Sequence, residues 1–251
     1  MGYLFEYLAE QANWQNSIVF MLLSAGPTLF WLFICLRLDK AAPEPGLQIF
    51  KTFLWGCLIT IPIIPLAGSL TRLVQDTSWF GSISLIIILS FLIDGFIEET
   101  SKYLILRYRT YRSVHFDELR DGFVYGMVLG LGFAFVENVL YGFLIGDLMT
   151  GASTILLRGF TSTFMHFLAG GIIGYHLGLV KFNPVKKPKL IIFRGVIIAI
   201  LFHGLYNTIV RFDWWWNLIP LAILLIVVYF LIFKKIKFIS RSDLQAPKAS
   251  L

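Results

Sequence analysis

The stretch GFVYGMVLGLGFAFVENVLYGFLIG, residues 122–146, runs for 25 residues with a single acid, Glu137, and no Lys or Arg. About 20 predominantly apolar residues are enough for an α-helix to cross the hydrocarbon core of a bilayer. We therefore expect a transmembrane helix here. Gly126, Gly130 and the Gly132–Ala134 pair have the small-residue spacing that lets a second membrane helix approach closely. The stretch indicates a packed bundle of helices in a membrane.

The rest of the chain has the same character. Hydrophobic residues make up 57% of the sequence and charged residues 14%, against about 25% charged in ordinary soluble domains. Pro62 and Pro65 predict a kink or a break in the second helix. The fold class is therefore all-α, a polytopic bundle of about seven transmembrane helices, with one membrane domain over 1–240 and a short cytoplasmic tail over 241–251. The other six predicted helices are 17–36, 50–71, 80–106, 154–180, 190–211 and 215–234.

The basic residues predict the orientation of the bundle. Seventeen of the 21 Lys and Arg residues fall within 37–51, 107–120, 181–194 and 234–248, and these regions alternate with loops that hold almost none. By the positive-inside rule, the N-terminus is outside and the C-terminus is cytoplasmic. The net charge of +6 therefore comes from Lys and Arg residues that are expected to anchor the cytoplasmic loops at the lipid bilayer. This placement argues against a nucleic-acid partner.

Five ionisable residues interrupt the apolar segments. An acid at the bilayer centre costs at least about 2.5–3.5 kcal/mol, so isolated charges in lipid are rare and mark functional sites. At about 1.5 Å per residue, all five fall in the middle of a bilayer about 30 Å thick. We expect them to converge in one polar cavity. They are Glu98, Glu99, Glu137, His166 and His203.

Other polar residues predict support for this site. Asp94, Glu98 and Lys102 follow an i, i+4 ladder on one helix face, so Lys102 is expected to pair with Glu98. Asn138 follows Glu137 and is a candidate hydrogen-bonding strut. Asn207 shares a helix face with His203. We interpret Arg158 as an anchor or helix brace near the outer edge.

The chemistry of these groups is that of water activation, and two mechanisms remain open. In one, His166 and His203 hold a metal ion, zinc for example, with Glu137 as third ligand and an open water position. In the other, the acids polarise water directly, as in a glutamate-type protease. In both, Glu98 or Glu99 is the general base. The zinc signature HExxH is absent, and Ser162 is the one candidate nucleophile.

Two other functions use similar residues. A proton-coupled transporter also places Glu and His at the membrane midplane, although the internal repeats common in such proteins are not evident. A catalytically inactive membrane scaffold is the third alternative.

Four motifs in order give a more specific indication. They are EExxK at 98–102, GFAFVEN at 132–138, RGFTSTFMH at 158–166 and HGLYN at 203–207. Together they span the motif core, 94–207, and resemble the PrsW family of intramembrane proteases, related to the CAAX-prenyl and bacteriocin-processing membrane proteases.

The resemblance implies a multi-pass protease of the bacterial cell membrane, with a membrane-anchored protein as substrate, an anti-sigma factor in this family. It also implies that Glu98, Glu99, Glu137, His166 and His203 form the active centre. The chain carries Asn207 where many such sequences have Asp.

Overall fold

The computed structural model describes residues 14–38, 43–76, 81–144, 147–212 and 216–245, and all regular secondary structure in these ranges is helical. The third helix, α3, is continuous over 82–110, with π-helical turns at Ile88–Gly95 and Leu106–Thr110 flanking an α-helical centre, Phe96–Ile105. The other helices are α1 (Trp14–Leu38), α2 (Gly46–Asp76), α4 (Leu119–Leu144), α5 (Leu148–Phe160), α6 (Ser162–Phe182), α7 (Pro188–Arg211) and α8 (Leu218–Gln245).

The all-helical, membrane-spanning fold class is confirmed. Five stretches are long and apolar enough to cross a bilayer: Asn16–Arg37, Gly46–Asp76, Leu119–Leu144, Leu148–Phe182 and Pro188–Arg211. A shorter apolar helix covers Leu218–Lys234. The seven predicted segments correspond to these six and to α3, which carries the acids of the EExxK motif. The count of seven spans, the orientation and the division into domain and tail stay predictions, and residues 1–13 and 246–251 lie outside the described part of the chain.

Two helices differ from the sequence prediction. Pro62 and Pro65 lie inside one continuous helix, α2, so of the two predicted outcomes the break does not occur, and the kink stays a prediction. The predicted helix at 154–180 is divided at Thr161, whose φ of −111° and ψ of −70° depart from helical geometry. The Thr161 hydroxyl donates to the Leu157 carbonyl and accepts from the Tyr206 hydroxyl. The division separates α5 from α6 just before His166.

Helix α4 lies at the centre of the bundle, in backbone contact with α6 and α2. A Cβ atom added at Gly126 would overlap the Gly170 carbonyl oxygen, and one at Gly130 would overlap the His166 carbonyl oxygen. On the opposite side, a Cβ atom at Gly132 would overlap the Phe53 carbonyl oxygen. The close approach expected from the glycine spacing is confirmed. It holds the helix that bears Glu137 directly against the one that bears His166.

The loop between α3 and α4 is held by polar contacts. Lys181 Nζ donates to the Tyr111 carbonyl at 2.9 Å and also to the Phe116 carbonyl. The Tyr125 hydroxyl donates to the Glu44 carboxylate, which precedes α2. The lysine contacts hold the loop against α6, and the tyrosine contact holds the segment before α2 against α4.

Candidate active site

Helix α3 contributes two buried acids and a buried lysine. Glu98 is 3% exposed, Glu99 0% and Lys102 1%. Lys102 Nζ lies 2.7 Å from Glu99 Oε1 and 3.8 Å from Glu98 Oε2. The expected Glu98–Lys102 ion pair is therefore present, but the closer partner is Glu99, one residue nearer in sequence. Both spacings place side chains on adjacent parts of an α-helix.

His166 binds a cation on one side of its ring and an acid on the other. Its Nδ1 lies 2.7 Å from Lys102 Nζ, and its Nε2 lies 2.9 Å from Glu137 Oε2. An ammonium group can only donate, so Nδ1 accepts and Nε2 carries the proton that Glu137 accepts. Glu137 thereby fixes the orientation of the imidazole, and Nδ1 faces the acids of α3.

His203, on α7, completes the cluster. Its Nδ1 lies 2.7 Å from Glu99 Oε1, and its ring is 5.0 Å from that of His166, nearly perpendicular to it. Asn207 Nδ2 is 3.2 Å from His203 Nε2 and donates to Asp94 Oδ2 at 2.8 Å. Arg211 also binds Asp94, at 2.7 Å. Polar contacts from Arg211 through Asp94 and Asn207 thus reach His203 Nε2, the ring nitrogen that does not contact Glu99.

Arg158 belongs to the site, which the sequence interpretation missed. The sequence predicted an anchor or a helix brace. Arg158 is a brace between α5 and α4, and it contacts the acid of the site, Glu137. Its guanidinium lies 2.6 Å from Glu137 Oε2 and donates to Asn138 Oδ1 at 2.9 Å. It also donates to Ser162 Oγ at 2.9 Å. The one candidate nucleophile therefore accepts a hydrogen bond from a cation. Asn138 acts as the expected strut, donating from Nδ2 to Thr163 at 2.8 Å.

The cluster contains the donor types of a metal site, and the Lys102 ammonium lies 2.7 Å from two of these donors, Glu99 Oε1 and His166 Nδ1. One potential ligand atom from each of Glu98, Glu99, His166 and His203 lies within 4.8 Å of the other three. Glu98 Oε2 and Glu99 Oε2 are buried without a hydrogen-bond partner among the described residues. Carboxylate oxygens and imidazole nitrogens are the usual donors of catalytic zinc sites. Glu137, the third ligand in the sequence hypothesis, instead lies behind His166.

A cavity of about 330 Å³ opens onto one side of the cluster. Glu98, Glu137, Asp94 and Asn207 line its inner part, whereas Glu99 and both histidines are not among its lining residues. Of the two adjacent acids, Glu98 alone therefore faces the space that water or a substrate could enter. All five predicted site residues and their three predicted supports are joined by the contacts described above, and Glu98, Glu137 and Asn207 also line the cavity.

Comparisons with known proteins identify the family of the chain. The model of the PrsW family of intramembrane metalloproteases matches residues 44–233. A protein named Protease PrsW from Clostridioides difficile (strain 630) is 32% identical over 219 residues, 86% of this chain and 87% of the relative. One of the same name from Bacillus subtilis (strain 168) is 31% identical over 211 residues, 82% of this chain and 91% of the relative. No solved structure matches the chain. The chain belongs to the PrsW family of intramembrane metalloproteases.

Proposed function

We propose that this membrane protease hydrolyses a peptide bond in a membrane-anchored protein, with Glu98, Glu99, Glu137, His166 and His203 as its active centre. The chain is a multi-pass protein of a bacterial cell membrane, and its family is one of hydrolases. The observation that carries the assignment of the residues is their convergence. Four ligand atoms lie within 4.8 Å, beside a cavity that Glu98 and Glu137 line.

In this proposal Glu98 and Glu99 have different roles. Glu98 lines the cavity and lies 3.8 Å from its nearest cation, Lys102. It is free to take a proton from water and then to return one to the leaving amine, as a general base and acid does. Glu99 Oε1 is held at 2.7 Å by both Lys102 and His203. Through Oε1 it positions these two groups, whereas its Oε2 has no hydrogen-bond partner among the described residues and is available as a ligand.

We further propose that Glu99, His166 and His203 hold the metal ion that the family name implies, with zinc as the expected metal. A bound zinc ion would lower the pKa of its water and polarise the scissile carbonyl. Glu137 accepts the Nε2 proton of His166, the kind of contact that orients a ligating histidine. Asn207 contacts His203 from the opposite side, at Nε2.

The substrate is a finer part of the proposal. The motif resemblance described above suggests a membrane-anchored anti-sigma factor, cleaved as part of regulated proteolysis. Membership of a protease family favours peptide-bond hydrolysis over proton-coupled transport as the function. It also favours activity over an inactive scaffold, as does the retention of all five ionisable groups.

The test is cleavage of single-span reporter proteins by the purified chain in detergent. We expect Glu98→Gln to abolish cleavage, with Asp76→Asn, an exposed acid outside the cavity, as the matched control. A chelator should stop cleavage and zinc should restore it. His166→Ala should lose bound metal by elemental analysis. Full activity of a Glu98→Gln/Glu99→Gln variant would refute the active centre, and full activity of metal-free enzyme would refute the metal.

A further inference from the structure

Four basic residues lie outside the cytoplasmic clusters of Lys and Arg, and three of them are bound to acids around the active site. Lys102 binds Glu99 at 2.7 Å, Arg158 binds Glu137 at 2.6 Å and Arg211 binds Asp94 at 2.7 Å. The fourth is Arg72. Lys and Arg residues outside the cytoplasmic loops of a membrane protein are uncommon, because the positive-inside rule places most of them in those loops.

Arg72 differs from the other three because it has no acid partner. It is exposed on the last turns of α2 and lines the cavity that contains Glu98. It forms no ion pair with any residue in the described part of the chain, including Asp76 one turn later. Arg211, which also lines the cavity, is occupied by Asp94 and by the Ser90 hydroxyl at 2.9 Å. Arg72 is thus the cation of this cavity that remains available to a ligand.

The lining residues show where the cavity opens. Arg72 and Gln75 lie at the end of α2, Leu144 at the end of α4 and Arg211 at the end of α7, and all four line the cavity. The opening therefore lies at the face where these three helices end. The Lys/Arg-rich regions 107–120 and 181–194 adjoin the opposite ends of α4 and α7. By the positive-inside rule, the opening faces outside.

We propose that this cavity receives the segment of the substrate around the scissile bond, and that Arg72 binds an acidic side chain on the outer side of that bond. The proposal rests on the proposed function and adds a substrate preference to it. The acids Asp94, Glu99 and Glu137 are each neutralised by their own cation, so they do not repel an acidic substrate from the mouth. A cavity of about 330 Å³ is near the lower limit of ligand sites, about 300 Å³, and suits a short segment of chain.

The experiment measures binding separately from cleavage. Fluorescently labelled single-span peptides carry Glu, Gln or Lys at successive positions along their outer half. They are titrated against the Glu98→Gln variant, which retains the cavity, in detergent micelles. At one or two positions we expect Glu to bind about twofold to fivefold more tightly than Gln, the range for a partly exposed ion pair.

Variants at residue 72 test whether the arginine causes this preference. Arg72→Gln should abolish it, Arg72→Lys should retain it in part, and Arg72→Glu should favour the Lys peptide instead. Lys51→Glu, an exposed cation at the other end of the same helix, should leave it unchanged. Only variants whose melting temperature matches that of the parent protein are compared for binding.

Three outcomes would overturn the proposal: no position with a preference for Glu, a preference that persists in Arg72→Gln, or an equal change in Lys51→Glu. With the active enzyme, the loss in Arg72→Gln should appear as a higher KM at unchanged kcat. An Arg72-dependent preference in a protein that cleaves none of the peptides would retain the binding site and refute the proposed function instead.

Discussion

Replacing Arg158 with Met tests whether the brace on Glu137 holds the site together. Methionine keeps much of the length of the side chain but removes the charge that lies 2.6 Å from Glu137 Oε2. Removing one partner of a buried ion pair costs about 3–5 kcal/mol, because the other charge is left uncompensated. The Glu137 side chain is 7% exposed and that of Arg158 15%. Since this pair is not completely buried, we expect the lower end, a loss of about 3 kcal/mol.

The assay is reversible unfolding in mixed micelles, with a double-mutant cycle. Glu137→Gln in the Arg158→Met background removes the stranded charge, so the double variant should regain about 2 kcal/mol while remaining inactive. Arg37→Met is the control. Arg37 is exposed and lies over the Phe33 ring, so the control should lose no more than about 1 kcal/mol. If Arg158→Met lies within about 0.5 kcal/mol of wild type, the reasoning about the brace is refuted.

Three further predictions use matched pairs or pH. Glu99→Gln should lower the melting temperature and abolish cleavage, since it removes the negative charge that contacts Lys102 and His203. Glu98→Gln should abolish cleavage without lowering the melting temperature, and equal losses of stability would contradict the proposed division of roles. Gly126→Ala should destabilise by at least about 1–3 kcal/mol through overpacking, whereas Gly26→Ala, where an added Cβ atom meets nothing within 4 Å, should be neutral or stabilising; an unaffected Gly126→Ala would contradict the backbone contact. Burial raises the pKa of the Glu44 carboxyl above its usual range, with a contribution from Asp117. The stability that protonated Glu44 contributes is therefore lost as the pH rises from the unfolded-state pKa through the folded-state pKa. Glu44→Gln should reduce the pH dependence of the melting temperature over that range. Melting curves recorded at a series of pH values would confirm or exclude this result.

The convergence of the site residues could be predicted from sequence, but the partners of each side chain could not. Depth follows from counting residues along an apolar stretch, and Glu98, Glu137, His166 and His203 do converge. The partners of Asp94 could not be read in this way, because the segment Ile88–Gly95 is π-helical and the i, i+4 ladder assumes a regular α-helix. Asp94 accordingly binds groups on α7 rather than joining a ladder with the lysine.

The role of Arg158 could have been found from one signal. The arginine lies eight residues before His166, about 80° away around a regular helix, so the spacing alone does not place the two side chains together. The division at Thr161 makes that calculation unreliable. A better indication was that four basic residues fall outside the four Lys/Arg-rich regions, since a buried cation requires an acid. Three of those four residues do bind acids of the site.

The pattern of ion pairs distinguishes Glu98 from the other acids. Asp94, Glu99 and Glu137 each have a cation within 2.7 Å, whereas the nearest cation to Glu98 is 3.8 Å away and already bound to Glu99. Among these four acids, Glu98 is thus the one without a cation of its own, and it lines the cavity. A buried charge without its own partner costs stability, a cost that proteins bear at functional sites. The three paired acids hold the architecture, and the unpaired one is available for proton transfer.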